Sequence, residues 1–366
     1  MIEQFETSGS HREVGFAIGQ RFAEQIHRSL DAYRFLQEQT LPYHHTPEGQ
    51  ARYRQLLELH QIRYPDYWAE LEGIAQGSGR PFEDLFLTNL RGEYRTFLRS
   101  AEAQECSDCA LVTDGAALIG HNEDGSPTFL GSMYVVHARV EGKPAFTALS
   151  YPGFLCGNAF GFNAEGLCFS VDHVQPRDAG VGVGRHFIAR SLLEARSLDD
   201  AIGRATVPGR ASGFSYTIGS IPERRIVLVE VAPENHCVRE IHGAYFHANH
   251  YRELAEVDQI ISPSSRARVE RARVMLQEHG LAGNALSLVL SSVEGLSKGL
   301  SDQDAAGVLA ILGDQTDEQY PIYRTTTAPD QSATLCTALF DLDARQLRIY
   351  TDHPVQAPGE VVVLAM

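Results

Sequence analysis

Cys106 and Cys109 stand in C-x-x-C spacing, and His121-Asn122-Glu123-Asp124 follow shortly after. Three chemistries fit such a run: a redox pair, half of a metal site, or one nucleophilic thiol with a bystander. A thioredoxin-type pair needs its first Cys at a helix N-terminus, where the dipole lowers the thiol pKa. Here "ALVTDGAALIG" after Cys109 reads as strand, Asp-Gly turn, strand. A structural zinc site needs four ligands. No second C-x-x-C exists, and the nearest H-x-x-H, His247-Ala-Asn-His250, lies far along the chain. The third chemistry gains from position, because Cys106 opens the β region. If the Glu105–Cys106 bond were cut, Cys106 would carry both a nucleophile and a base. A free α-amine titrates at roughly 7.7–8.0 and can take the thiol proton.

The surrounding elements must position that thiol. Residues 13–39 place apolar side chains at i, i+3, i+4 spacing, as an amphipathic helix does. Residues 51–79 give two more helices broken near Pro65, and 80–98 another with Pro81 at its start. The whole first hundred residues read as helical. At Cys106 the texture changes to hairpins: 106–122, 133–150 and 157–174, the last turning at Asn163-Ala-Glu-Gly166. Two helices follow in 184–205, with Ser197 capping the second. Strands resume over 212–220, 224–233 and 237–250, helices over 264–280 and 283–311, and a final hairpin closes at 334–354. This order predicts an α+β fold of two antiparallel sheets with helices packed outside. Its clearest boundary falls at Cys106, between a helical segment 1–105 and a region 106–366 of strands and helices.

Bulk properties narrow the partners. With 47 acids against 31 bases, the net charge of −16 repels nucleic acid and anionic membranes. Six cysteines without framework spacing argue for buried thiols in a reducing compartment rather than a disulfide scaffold. The N-terminus lacks the basic and apolar regions of a signal peptide, and no apolar run approaches ~18 residues. A cytoplasmic protein is expected, with no cofactor and no metal.

The motifs also resemble a known family. Cys106, then "GHNED", is similar to the N-terminal-nucleophile (Ntn) hydrolases of the acyl-CoA:isopenicillin N acyltransferase type. "REVGFAIGQRFAEQI", "WAELEGIAQGSGRPFEDLFLTNLRGE", "YPGFLCGNAFGFNAEGLCFSVDHV", "FIARSLLEARSLDDAI", "FHANHY" and "SPSSRARVERAR" resemble its other blocks, in order. The resemblance implies a four-layer αββα sandwich made as an inactive precursor and cut before its nucleophile, here between Glu105 and Cys106. The sequence departs at Glu105, where penicillin acyltransferases have Gly. It departs again at Gly182-Val-Gly184-Arg185, where a Pro is missing.

On this resemblance Cys106 attacks the acyl carbonyl, and Asp124 orients the new amine. Asn249 supplies an oxyanion donor of the kind that must be fixed before reaction, with Asn158 a weaker second candidate. His121, Asn122, Asp172 and His173 line the substrate site or brace it, a basic residue at Arg266 or Arg268 stands nearby, and Cys109 is a strand residue. Short blocks are similar to the β-alanyl-dopamine and carcinine hydrolases. The expected activity is therefore an amidohydrolase or acyltransferase for a small N-acyl amine or peptide-like amide. The alternatives are a penicillin-type acyl-CoA-dependent N-acyltransferase, an unprocessed silent binding protein, and a metal-dependent hydrolase using His247 and His250. The expected partners are the small amide or acyl-CoA substrate and the chain's own segment 1–105, with self-association into a homo-oligomer left open.

Overall fold

The computed structural model describes residues 2–98, 106–281, 294–326, 332–357, 359 and 361–366, with the backbone alone at 294–301. In chain order its strands are β1 (Glu3–Gly9), β2 (Ser107–Val112), β3 (Ala117–Gly125), β4 (Tyr134–Val140), β5 (Phe146–Ser150), β6 (Phe160–Asn163) and β7 (Leu167–His173). They continue as β8 (Phe214–Ser220), β9 (Arg225–Val231), β10 (His236–Glu240), β11 (Gly243–His247), β12 (Ala333–Asp341), β13 (Gln346–Tyr350) and β14 (Val361–Ala365). One sheet runs β1-β4-β5-β6-β7-β8-β9-β10 and the other β11-β2-β3-β12-β13-β14.

Strand alternation sets the layers. Ala110, Ala117 and Ile119 point between the sheets, into a core shared with Phe160, Cys168 and Phe340. Cys109, Leu111 and Leu118 point the other way. There they meet Ala272 and Met275 of the helix Pro263–Glu278, and Val308, Ile311 and Leu312 of the helix Glu294–Leu312. On the far side of the first sheet, the helices Arg185–Leu192 and Leu198–Ala205 bury Phe187, Ile188, Leu198 and Ala201. Ser197 caps the second by accepting from Asp200 N–H, as its sequence predicts. The order is helix, sheet, sheet, helix, the αββα sandwich expected.

The N-terminal segment is built into this sandwich. Its helices His11–Arg21 and Pro65–Ser78 cross with backbones almost touching. A Cβ at Gly15 would lie 2.0 Å from the Glu70 carbonyl oxygen, and one at Gly73 would lie 2.2 Å from the Arg12 carbonyl oxygen. Only glycine permits that approach. Segment 2–98 also caps the central helix of the other region. The Gly184 N–H donates to His60 Nε2 at 2.8 Å, and the Arg185 N–H donates to Glu93 Oε1 at 3.0 Å. These are two of the orphan donors that every helix start leaves. Fully buried Arg190 pairs with Glu70 through three contacts of 2.8–3.1 Å.

Four details differ from the sequence reading. Residues 3–9 are strand rather than helix, and β1 pairs with β4 in parallel, so the first sheet is mixed at its edge. The apolar alternation there is carried by Phe5 with polar neighbours, too little for a periodicity argument. Residues 237–250 form two strands in different sheets, β10 and β11, because the chain crosses between them at Ile241-His242. β14 extends the second sheet beyond the closing hairpin. Pro81 sits at the N-cap of the helix Phe82–Asn89, one position earlier than the favoured N1 site. The part of the expected helix over 283–293 lies outside the described residues.

Candidate active site

Cys106 and Cys109 are three residues apart on a strand, so they face opposite ways. Cys109 packs in the helix-side core. Cys106 stands just before β2 and points between the sheets, 5 % exposed, and all six cysteines are free thiols. The C-x-x-C is therefore neither a redox pair nor a chelating pair.

The register of β2 on β3 pairs Ser107 with Asn122 and Asp108 with His121. Asp108, His121 and Glu123 thus share the intersheet face with Cys106. The Cys106 thiol lies 3.9 Å from Glu123 Oε2 and 3.7 Å from the Asp124 carbonyl oxygen. His121 is held at both ring nitrogens: Nδ1 is 2.6 Å from Asp108 Oδ1, and Nε2 is 2.9 Å from Glu123 Oε2. Burial works against a charged ring here. The Asp108 carboxylate, with Glu123, outweighs it and holds the His121 pKa well above its ordinary value. Asp108 is fixed in turn by the hydroxyls of Ser170 and Thr217, and Glu123 accepts from the Tyr151 hydroxyl. Burial, helped by the Glu123 carboxylate, pushes the Cys106 thiol up to about 12. The full-length chain therefore holds a neutral thiol.

Arg268 reaches the site from the opposite direction and is fully buried. Its Nη1 donates to the Cys106 carbonyl oxygen and to Ser107 Oγ, both at 2.7 Å. Its Nη2 donates to Asn249 Oδ1 at 2.6 Å. Asn249 Nδ2 then donates to the His173 carbonyl oxygen at 2.9 Å, and the Asn249 N–H to Ser265 Oγ at 2.8 Å. The structure thus brings Cys106, Arg268, Asn249 and His173 together. Arg266, the other basic candidate, is exposed.

Asn122 and Asp124 lie on the helix-side face. Asn122 Nδ2 donates to the carbonyls of Leu312 and Ile322 at 2.8 and 3.2 Å, and Asn122 Oδ1 accepts from Thr337 at 2.7 Å. Asp124 Oδ1 accepts from the Thr334 hydroxyl at 2.7 Å, and Oδ2 lies 3.4 Å from Arg324 Nε. Burial raises the Asp124 pKa to about 7, against Arg324, Thr334 and Arg268, which lower it.

The remaining candidates ring this centre. His173 Nδ1 contacts the Arg185 guanidinium, and burial beside Arg185, Arg95 and Arg91 keeps its ring well below the usual histidine range. Asp172 Oδ2 is 2.7 Å from His247 Nδ1, whose Nε2 is 3.2 Å from Glu230. Burial, with Asp108 nearby, raises Asp172 to about 6. Asp172 and Glu230 overcome burial to raise His247 to about 9. His250 instead bonds Ser265 Oγ at 2.7 Å. His247 and His250 therefore serve separate networks and form no chelating pair. Asn158 is buried with neither amide atom hydrogen-bonded. Glu105 lies outside the described residues.

Residues 111–356 match the family model of acyl-coenzyme A:6-aminopenicillanic acid acyl-transferase. The chain belongs to that family. The chain is 28% identical to β-alanyl-dopamine/carcinine hydrolase of Drosophila melanogaster, over 95% of this chain and 92% of that one. It is 25% identical to the acyl-coenzyme A:6-aminopenicillanic-acid-acyltransferase 40 kDa form of Emericella nidulans, over 66% and 67% of the two chains. A crystal structure of conjugated bile acid hydrolase from Clostridium perfringens is similar with a TM-score of 0.44 and 13% identity. The match covers 71% of this chain and 92% of that one. Of these two relatives of this acyl-transferase-family chain, one is a hydrolase and the other an acyltransferase. Among the described residues, no helix is long and apolar enough to cross a membrane.

Asp108, Glu123, Tyr151 and Arg324 escaped sequence reasoning. For the first two a signal existed. Period-two alternation from Cys106 puts Asp108 on the thiol's face, and the same rule pairs His121 with Glu123. Tyr151 and Arg324 come from distant segments and carry no local mark.

Proposed function

We propose that this chain is a self-processing cysteine Ntn amidohydrolase whose nucleophile is Cys106, acting on a small N-acyl amine of the β-alanyl-amine kind. The observation that carries it is the buried Cys106 between the sheets, with its carbonyl tied through Arg268 to Asn249. In the first step the Cys106 thiol attacks the Glu105 carbonyl carbon. The C–N bond breaks, the proton passes to the new α-amine, and water hydrolyses the resulting thioester. The products are chains 1–105 and 106–366.

The mature α-amine then serves as base. A thiol pushed up to about 12 needs one, and a protonated amine beside it stabilises the thiolate. The thiolate attacks the substrate carbonyl, and Asn249 donates to the developing oxyanion while Arg268 holds its other end. The leaving amine takes the proton from the α-ammonium, and water releases the acid. Asp124 steadies the strand end beside the thiol and Asn122 braces it, whereas His121, Asp172 and His173 shape the substrate pocket. Transfer to an amine instead of water uses the same acyl-enzyme, and the similarity to a 6-aminopenicillanic-acid acyltransferase favours testing it as a second reading. The β1–β4 pairing and the Glu70–Arg190 ion pair support a segment 1–105 that stays bound after cleavage. The six free thiols fit a reducing cytoplasm.

The test is a panel of β-alanyl amines, fatty-acyl amides and acyl-CoA plus amine, followed by release of amine, acid or CoA. Turnover of a β-alanyl amine that is abolished in Cys106→Ala is expected. An unreactive panel, or an active Cys106→Ala enzyme, contradicts the reading.

A further inference from the structure

We propose that Cys106, His121 and Glu123 form a zinc-binding site that reversibly blocks the thiol. The three ligand atoms, a sulfur, an imidazole nitrogen and a carboxylate oxygen, all lie within 4.8 Å of one another. Thiolate, imidazole and carboxylate on one small face are the donor set of Zn²⁺, with a fourth position left for water. The supporting shell is also present. Asp108 binds the other ring nitrogen of His121 at 2.6 Å, and Ser170 and Thr217 hold Asp108. A carboxylate on the far nitrogen fixes the ring with Nε2 toward the metal, as in carboxylate–histidine–zinc arrangements. The alternative grouping of Asp108, His121 and Asp172 lacks the thiol, and both Asp108 oxygens are already committed.

A metal ion binds the thiolate form of cysteine, so the thiol proton leaves to solvent, and the thiolate and the Glu123 carboxylate together offset the charge of the dication. The site goes beyond the proposed hydrolysis, and it exists whether or not the chain is cleaved.

The test is a titration of metal-stripped protein, as purified, with Zn²⁺ by calorimetry in buffers of different ionisation enthalpy. A parallel titration with Co²⁺ watches for a thiolate-to-metal absorption band. One ion per chain, release of protons on binding and an affinity that rises with pH are expected. Cys106→Ser should lose the cobalt band, and Asp108→Asn should weaken binding about 10–100-fold while keeping the band. The readout is binding, so it stands apart from any activity. No stoichiometric binding, or binding unchanged in Cys106→Ser, would overturn the site. Should Asp108→Asn fail to fold, Cys106→Ser alone decides, because it exchanges one atom.

Discussion

Arg268 joins the backbone of Cys106 to the side chain of Asn249, 2.7 Å from one and 2.6 Å from the other, with no solvent exposure. One planar guanidinium fixes the geometry between the proposed nucleophile and the proposed oxyanion donor. Lysine offers a point charge and cannot hold both. Arg268→Lys should lower kcat by about 10²-fold with the fold retained, because misplacement of reacting groups by ~1 Å costs that much. Steady-state kinetics alongside circular dichroism checks it.

Buried titrating groups give the stability a pH dependence of definite sign. Asp124 is raised from 3.8 to about 7 and His247 from 6.5 to about 9. In each case the folded chain holds a proton over a window where the unfolded chain has released it. Stability therefore falls as pH rises, first between about 4 and 7 through Asp124, then between about 6.5 and 9 through His247. Urea midpoints across pH should show both declines. Asp124→Asn should reduce the first, to which Asp172 also contributes between about 4 and 6, and His247→Gln should flatten the second.

The helix crossing in the N-terminal segment admits no side chain. Gly73→Ala places a methyl group against the Arg12 carbonyl and should destabilise by about 1–3 kcal/mol. Gly203 lies on the exposed face of the helix Leu198–Ala205 with nothing near it. Gly203→Ala should stabilise by about 0.5–1 kcal/mol. Thermal melts of the two variants separate packing from propensity.

Cleavage should not release the N-terminal segment. Glu70→Gln leaves Arg190 with Glu194 as its remaining buried carboxylate and should cost less than the about 3–5 kcal/mol of a fully broken buried pair. Wild-type fragments should co-elute in gel filtration, and the Glu70→Gln fragments should separate at lower denaturant.

The sandwich was legible because long amphipathic helices and Gly-punctuated hairpins carry their own periodicity. β1 was not legible, since Phe5 among polar residues becomes a strand only by pairing with β4, more than a hundred residues on. Cys106, His121, Asp124, Asn249 and Arg268 stood out by type and motif, and four of them fall into one connected neighbourhood. Asn122 and Asp124 share a strand with His121 but face the helix layer, which alternation alone foretells. Glu123 and Asp108 were overlooked because acids on a charged chain look like solvated surface. Period-two alternation places both on the face of the thiol, and the register of β2 on β3 buries that face between the sheets.

The self-processing nucleophile is tested most directly by the intact mass and N-terminal sequence of freshly purified wild type beside Cys106→Ala. The expected result is two wild-type chains, one beginning Cys-Ser-Asp-Cys, and a single uncut chain for Cys106→Ala. A single wild-type chain that nonetheless releases amine from an amide, or a Cys106→Ala chain that is still cut before residue 106, would contradict it.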